Sequence, residues 1–321
     1  MKISIALATY NGEEYLEKQL NSYIKQERQP DELIVCDDMS SDKTIAIIKN
    51  FEKIAPFEVK IFINKSNLGY TENFEKALSL SSGDIVFFSD QDDIWFSNKI
   101  SIVEKTFIEN PTVFLVIHDG ELVNEELIPT GVTKLGQILS GGYTENAFIS
   151  GTLTAIRREL IDIVLPFPNG VAGGHDGWVH TMAKLTNKRI IIKDVLQQLR
   201  RHSKNTSEWV VSSTKKINKL DVLKSQFLTI AAESYADRLF LNKSLQERFI
   251  SIKVGSIKCK FDINFVNIKK ILDNEYGALV KRQELLSYSF FGKKLKAIDI
   301  LINGEYNYFN GIKSFIRDFL R

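Results

Sequence analysis

Residues 84–96 read DIVFFSDQDDIWF, a run of strand-forming side chains that ends in three carboxylates, Asp90, Asp92 and Asp93, within four positions. Like charges this close repel, and each raises the cost of ionising the next. A hard divalent cation such as Mg²⁺ or Mn²⁺ relieves that repulsion, because it takes oxygen ligands and binds through one or two carboxylates together with substrate phosphates. The bland alternative is a solvated acidic turn capping a helix that begins near Phe96, and for an isolated D-x-D it is the better reading. A second acidic pair shifts the balance. Asp37 and Asp38 close another strand-like run, ELIVCDD (32–38). Up to five carboxylates then gather where one sheet would end, and a metal together with a nucleotide explains them.

The elements that must position these acids alternate. ISIALAT (3–9) is a continuous apolar strand, and EEYLEKQLNSYIKQ (13–26) sets Tyr15, Leu16, Leu20, Tyr23 and Ile24 on one helical face. Ser41 or Asp42 is placed to cap a helix carrying Ile45, Ile47, Ile48 and Phe51. FEVKIFIN (57–64) predicts a third strand with more alternation than the others, and TENFEKALSLSSG (71–83) a helix stopped by Gly83. A strand–helix series of this kind predicts an α/β fold with a mostly parallel sheet. Polar residues stand at each strand's C-terminal end: Thr9-Tyr10-Asn11, Asp37-Asp38, Asn64 with Asn67, and Asp90 to Asp93. In open α/β sheets the ligand crevice lies outside those ends. Further along, the pattern predicts a helix near 97–109, a strand over 112–123, a Gly-rich loop over 139–152 leading into LTAIRREL, and a loop turning into a helix over 167–185. Residues 188–207 read as a strand pair or a strand plus loop, and from about 210 the pattern is helical and Lys-rich.

The chain has 321 residues, 44% hydrophobic and 26% charged, enough for one large domain or a domain with an appendage. Its net charge of +2 hides an asymmetry: residues 201–321 hold 22 Lys and Arg against 12 Asp and Glu, and residues 1–200 hold 20 against 28. The opposite signs suggest two functional surfaces. Cys36 and Cys259 lie far apart, with neither a disulfide framework nor zinc spacing, which favours a reducing cytoplasm. The opening MKISIALATYNGEEYL has too short an apolar run for a signal peptide. No apolar run of about 18 residues predicts a transmembrane helix. The expected place is the cytoplasm, including the cytoplasmic face of the cell membrane. Nucleic acid is not an expected partner, since the basic residues are interleaved with apolar ones and no recognition motif occurs.

Six stretches, in order, carry a family resemblance: SIALATYNGEEYLEKQLNSY, LIVCDDMSSDKT, NKSNLGYTENFEKALSLSSGDIVFFSDQDDIW, SGTLTAIRREL, GGHDGW and LRRHSKNTS. Together, over roughly residues 2–207, they resemble glycosyltransferase family 2, the inverting nucleotide-sugar-dependent enzymes of the GT-A fold. D-Q-D-D-x-W and H-D-x-W are similar to its bacterial rhamnosyltransferase-like branch of surface-polysaccharide synthesis. The resemblance implies a Rossmann-like catalytic domain over 1–207, followed by a basic, mainly helical region over 208–321. It sets Thr9, Tyr10 and Asn11 under the nucleotide base and one of Asp37 and Asp38, undecided between them, on a uracil or thymine ring. Asn67, Gly69 and Asn73 would line the nucleotide pocket. Asp90 would hold the ribose and Asp92 the Mg²⁺ or Mn²⁺, with Asp93 orienting Asp92 from behind. Arg200, His202 and Asn205 match an R-x-H-x-x-N pattern, which implies a diphosphate contact for Arg200 and a third metal or diphosphate contact for His202. Met39 stands where the family usually has Gly.

Sugar transfer with inversion needs a general base on the acceptor hydroxyl, opposite the departing diphosphate. Asp176 in GGHDGW is the candidate: it follows Gly173-Gly174 and lies near a helix start, where the dipole favours a negative group. Its bland alternative is a helix cap. His175 and Trp178 would shape the acceptor or sugar pocket, and Asp119, beside His118 at a strand end, would face the acceptor. His180 reads as a helix residue with a satisfied hydrogen bond. The implied reaction moves a sugar, rhamnose being favoured, from a UDP- or dTDP-sugar to a saccharide acceptor, expected to be a lipid-linked polysaccharide intermediate. A nucleotidyltransferase lacks support, because ATYNGEEY stands where a Gly-rich triphosphate loop would follow the first strand. A non-catalytic nucleotide- or sugar-binding scaffold of a polysaccharide assembly complex has no need of both metal carboxylates and a base. The basic, aromatic-rich C-terminal region suits an anionic membrane surface, an ordinary packed subdomain with a solvated basic face, or oligomerisation.

Overall fold

A computed structural model describes residues 1–171, 173–203, 205, 210–229, 235–255, 262–309 and 311–320. The chain divides into two compact units, one of residues 1–167 and 173–219, the other of residues 168–172 and 220–321. The boundary expected between 207 and 208 falls on residues outside the described set, as does Cys259.

The first unit opens with the expected series: β1 (Ile3–Thr9), α1 (Leu16–Ile24), β2 (Glu32–Asp37), α2 (Thr44–Glu52), β3 (Glu58–Ile63), α3 (Tyr70–Leu80) and β4 (Ile85–Ser89). It continues with β5 (Ile94–Trp95), α4 (Lys99–Glu109), β6 (Leu115–Val123), β7 (Pro129–Thr133), α5 (Lys134–Ser140), β8 (Thr154–Arg157), α6 (Arg158–Val164), α7 (Gly174–Leu185) and β9 (Arg189–Arg200). The strands form one mixed sheet in the order β3-β2-β1-β4-β8-β6-β9-β5, with β7 added on β6. β1 pairs in parallel with both β2 and β4, and β2 with β3. β8 runs antiparallel between β4 and β6.

Burial explains the apolar runs. Every residue of β2 and β4 is buried, as parallel strands covered by helices on both faces require, whereas β3 at the sheet edge is exposed at both its ends. Leu16, Leu20 and Tyr23 of α1, Ile48 and Phe51 of α2, and Ile100, Val103 and Phe107 of α4 pack with Ile5, Val35 and Phe87 of the sheet. Truncating one of these aromatics to alanine would cost about 3–5 kcal/mol.

Register sets the site. Thr9 lies opposite Asp37, Asp37 opposite Ile63, and Leu7 opposite Ser89. The residues that follow, Tyr10-Asn11, Asp38, Asn64 and Asp90, therefore leave the sheet along one edge.

The structure refines the local reading at three places. α3 ends at Leu80, and Gly83 has a different reason to be glycine: a Cβ there would sit 2.7 Å from the Ser4 backbone nitrogen, so it permits close approach to β1. Of the two readings of residues 188–207, the described residues take the strand plus loop: β9 pairs in parallel with β6 and antiparallel with the short β5 (Ile94 opposite Gln198, Trp95 opposite Gln197). Residues 124–138, for which no periodicity predicts an element, form β7 and α5; the side chain of Thr133 caps α5 by accepting from the Gly136 N–H.

The second unit is helical: α8 (Lys219–Thr229, its first residue closing the first unit), α9 (Ala236–Lys253), α10 (Phe265–Leu285), α11 (Phe290–Ile302) and α12 (Ile312–Leu320). At its centre Arg282, fully buried, donates from Nε to Asp318 Oδ2 at 2.7 Å and from Nη2 to Oδ1 at 3.1 Å. Tyr235 and Tyr306 donate their hydroxyls to the same carboxylate. No helix among the described residues is long and apolar enough to cross a membrane.

Candidate active site

A cavity of about 1130 Å³ opens at the C-terminal ends of the first unit's parallel strands. Its walls include Thr9, Tyr10, Asn11, Asp38, Asn67, Gly69 and Asn73 on one side, and Asp90 to Asp93 on the floor. His175, Asp176, Arg200 and His202 also line it.

The first wall is built by side chains that fold the backbone. Asp37 accepts from Thr9 Oγ1 at 2.8 Å, Ser40 N at 2.8 Å and Ser40 Oγ at 2.6 Å, and it does not line the cavity. The expectation that it binds nucleotide is corrected: its carboxylate is used in forming the β2 turn. Asp38 lines the cavity. It accepts from Asn64 Nδ2, Leu68 N and Gly69 N, each at 2.8 Å. A carboxylate has about four acceptor sites, so Asp38 retains one for a ligand donor. Asn73 donates to the Cys36 carbonyl at 2.8 Å and accepts from Asn64 at 2.9 Å, tying α3 to β2. Asn11 adopts φ 45° and accepts from the Ser41 N–H at 2.9 Å; Met39, in the family's glycine position, adopts φ 66°. Gln91, which carries no role in the sequence reading, clasps Tyr10 by accepting its N–H and donating to its carbonyl, both at 2.9 Å. The clasp fastens β1 to the acidic loop.

On the floor, ligand atoms of Asp90, Asp92 and Asp93 all lie within 4.8 Å of one another. Burial, and then the charges of Asp92, Asp93 and Asp176, hold Asp90 well above the ordinary carboxylate range, with Lys99 opposing. Burial and the Asp92 charge push Asp93 up to about 7, against hydrogen bonds from Thr152 and the Arg200 N–H. Three crowded carboxylates, two of them held back from ionising, are a fitting oxygen-donor set for a hard divalent cation.

Asp93 is the anchored member, accepting from Thr152 Oγ1 and Gln197 Nε2 at 2.8 Å and from Arg200 N at 3.1 Å. Behind it Lys99, fully buried on α4, donates to Gln197 Oε1 and to the Thr152 carbonyl and lies 3.6 Å from the Trp95 ring centroid. Burial pulls Lys99 well below the usual lysine range, opposed by Asp93 and Asp90. No local sequence signal marks Lys99 or Gln197, because the β5–β9 pairing that joins them spans about a hundred residues.

Asp92 meets the end of β9. His202 Nε2 lies 2.8 Å from Asp92 Oδ2, and Asn205 Nδ2 donates to the same oxygen at 3.1 Å. The His202 ring rests 4.6 Å from that of Tyr15. Arg200 lines the cavity and commits part of its guanidinium: Nε donates to the Asp92 carbonyl at 2.8 Å and Nη1 to the Glu125 carbonyl, Nη2 has no hydrogen-bond partner among the described residues, and the guanidinium lies 4.7 Å from the Tyr15 ring. It thus braces the Asp92 backbone at the cavity wall. Tyr15, expected only as a helix-face residue, is the platform under both side chains.

The far wall is the start of α7. Gly173 and Gly174 adopt φ 82° and 66°, and a Cβ on Gly174 would lie 2.9 Å from Tyr70 Cε2. Asp176 follows in the first turn, faces the cavity, and accepts the Gly177 N–H at 2.8 Å. His175 is buried among Phe74, Phe88 and Tyr70, and neither ring nitrogen has a partner among the described residues. Burial lowers its pKa, with Asp176 opposing, so the ring is a neutral imidazole at the cavity wall.

Two expected pocket residues lie elsewhere. Trp178 is fully buried and donates Nε1 to the Val164 carbonyl at 3.0 Å, pegging α7 to α6. Asp119 is buried and accepts from Gly120 N at 2.8 Å and Leu135 N at 2.9 Å, fixing the start of α5. Neither lines the cavity. His118 is also internal, with Nδ1 2.7 Å from the Asp119 carbonyl. His180 is a buried helix residue beside Thr154 Oγ1, as expected.

With the geometry in hand, likeness to known proteins is informative. The model of glycosyl transferase family 2 matches residues 4–164, half of the chain. The dTDP-rhamnosyl transferase RfbG of Shigella flexneri is 28% identical over 267 residues, 76% of this chain and 89% of that protein. The Escherichia coli protein WfgD, a UDP-Glc:α-D-GlcNAc-diphosphoundecaprenol β-1,3-glucosyltransferase, is 29% identical over 136 residues, 41% of this chain and 53% of that protein. The crystal structure of Staphylococcus aureus TarS residues 1–349 in complex with UDP-GlcNAc shares the fold, with a TM-score of 0.53 at 19% identity over 99% of this chain and 89% of that one. The architecture is GT-A, as the motif order implied. The chain belongs to glycosyl transferase family 2, the nucleotide-sugar-dependent glycosyltransferases.

Proposed function

We propose that the protein is an inverting, divalent-metal-dependent transferase that moves a sugar from a UDP- or dTDP-sugar to a saccharide acceptor. The observation that carries this is the placement of the Asp90-Asp92-Asp93 cluster and Asp176 around one cavity, close enough that the Asp176 charge acts on Asp90. Asp38, Asn11 and the Gln91-held Tyr10 backbone bind the nucleoside. Asp90 and Asp92 hold the Mg²⁺ or Mn²⁺, with Asp93 fixed behind them and His202 bearing on Asp92. When bound, the cation neutralises the charge that develops on the departing diphosphate.

Asp176 receives the acceptor hydroxyl proton as the acceptor oxygen bonds to the anomeric carbon; the bond to the diphosphate oxygen breaks on the opposite face, which inverts the centre. His175 borders the sugar at the same wall. Likeness to a dTDP-rhamnosyl transferase supports dTDP-rhamnose as the donor, and likeness to an enzyme of a diphosphoundecaprenol-linked saccharide supports a lipid-linked acceptor. In this reading the first unit is catalytic and the second makes a peripheral contact with the membrane that carries the acceptor.

Calorimetric titration with UDP and with dTDP, in Mn²⁺ and then in EDTA, tests the donor site: metal-dependent binding of one nucleotide is expected, and binding of neither by the folded protein overturns it. Asp176→Asn should retain nucleotide affinity while turnover falls about 10²–10⁴-fold. Near-normal turnover would remove Asp176 as the base.

A further inference from the structure

Helix α11 is apolar on two opposite sides. One side, with Ala297, Ile300 and Leu301, packs into the core of the second unit beside Leu285, Tyr306, Phe315 and Phe319. The other carries Phe291, Leu295, Ile298 and Ile302, which are 77%, 71%, 39% and 79% exposed. Their spacing of i, i+4, i+7 and i+11 makes one stripe. α12 repeats the arrangement: Phe315 and Phe319 turn toward the core, and Ile312, Ile316 and Leu320, at i, i+4 and i+8, are 57%, 37% and 51% exposed. Lys294 joins the helices, its Nζ lying 4.3 Å from the Phe290 ring centroid and 4.8 Å from that of Phe319. A helix with apolar residues on two opposite sides is expected to be covered on both. Single exposed apolar residues are ordinary, but two stripes on neighbouring helices mark an interaction surface.

Charge identifies what covers it. α11 and α12 hold five basic residues, Lys293, Lys294, Lys296, Lys313 and Arg317, and two acids. Asp318 is buried against Arg282, and Asp299 lies 3.5 Å from Lys296. A two-fold contact between copies would bring this excess of basic charge on α11 and α12 against itself, because such an interface uses the same patch twice. An anionic lipid surface satisfies both parts, its headgroups meeting the basic side chains and its acyl boundary the stripes.

We propose that the exposed face of α11 and α12 docks on an anionic phospholipid bilayer, with Phe291, Leu295, Ile298, Ile302, Ile312 and Ile316 entering the interface. This names the surface for the peripheral contact put forward above, but it depends on these two helices and not on the donor chemistry.

The test is flotation of the full chain with vesicles of phosphatidylcholine, pure or containing about one-third phosphatidylglycerol. Binding to the anionic vesicles that weakens with salt is expected. Phe291→Ser with Leu295→Ser should weaken it roughly tenfold or more. Lys293→Gln and Lys296→Gln should each weaken it about fivefold at low salt. All these side chains are at least partly exposed, and thermal melts of the variants should match the parent. Equal binding to both vesicle types, binding to neither, or binding unchanged by the Phe291/Leu295 pair overturns the proposal. So does concentration-dependent self-association that the same pair abolishes, which would assign the face to a second copy. Nucleotide titration of the same preparations separates the readings: vesicle binding lost with nucleotide binding intact rejects this surface alone, and the reverse rejects the donor site alone.

Discussion

The acids of this chain differ in what surrounds them more than in what they are. Asp37 and Asp38 are neighbours, yet one folds the β2 turn through Thr9 and Ser40 away from the cavity and the other faces the cavity. Asp93, pushed up to about 7, has a direct consequence for pH. Its folded-state pKa lies above the value in an unfolded chain, so the stability it contributes is complete below the ordinary carboxylate range and is lost as pH rises through about 7. Without metal, the melting temperature should fall from pH 6 to pH 8, with a shallower slope in Asp93→Asn. Added Mn²⁺ should raise it more at pH 8 than at pH 6, because ligation needs ionised carboxylates. Scanning calorimetry at those two values checks this, and equal slopes in parent and variant would show that Asp93 is not the titrating group.

At the scale of elements, the site depends on where strands end and how α7 begins. The parallel register of β1, β2 and β4 brings Tyr10, Asp38 and Asp90 out together. The pairing of β5 with β9 carries the segment after Arg200 back to Asp92. α7 is held close to α3 by a glycine with positive φ whose Cβ would strike Tyr70. Gly174→Ala should therefore destabilise the fold by about 1–3 kcal/mol and shift Asp176. Turnover should drop more than nucleotide affinity, since the nucleoside wall lies on other elements. A melt together with a transfer assay measures both, and unchanged values in each would mean that α7 tolerates the strain.

For the whole molecule, the asymmetry of charge between residues 1–200 and 201–321 corresponds to an acid-lined cavity in one unit and basic, apolar-striped helices in the other. The second unit has its own polar centre. Asp318→Ala would leave Arg282 buried without its partner, at a cost of about 3–5 kcal/mol. Arg282→Met with Asp318→Leu should recover much of that loss, because the desolvation of both charges is removed together. Chemical denaturation of the three proteins decides it; a double variant no more stable than the single one would show that the ion pair itself holds these helices.

The amino-acid sequence by itself determined the β1–β4 series, the polar strand ends, the six ordered stretches and the expectation of a divalent metal at the D-Q-D-D motif. These are local signals, carried by apolar runs and short spacings. Only the tertiary structure decided which of Asp37 and Asp38 faces the cavity, that Trp178 and Asp119 belong to the interior, and that Arg200 braces Asp92. It also recruited Gln91, Tyr15, Lys99 and Gln197. The physical reason is the same in most of these cases. Each depends on a hydrogen bond or ring contact to a residue far away along the chain, and side chains of the same type and spacing turn inward or outward according to which distant partner satisfies them.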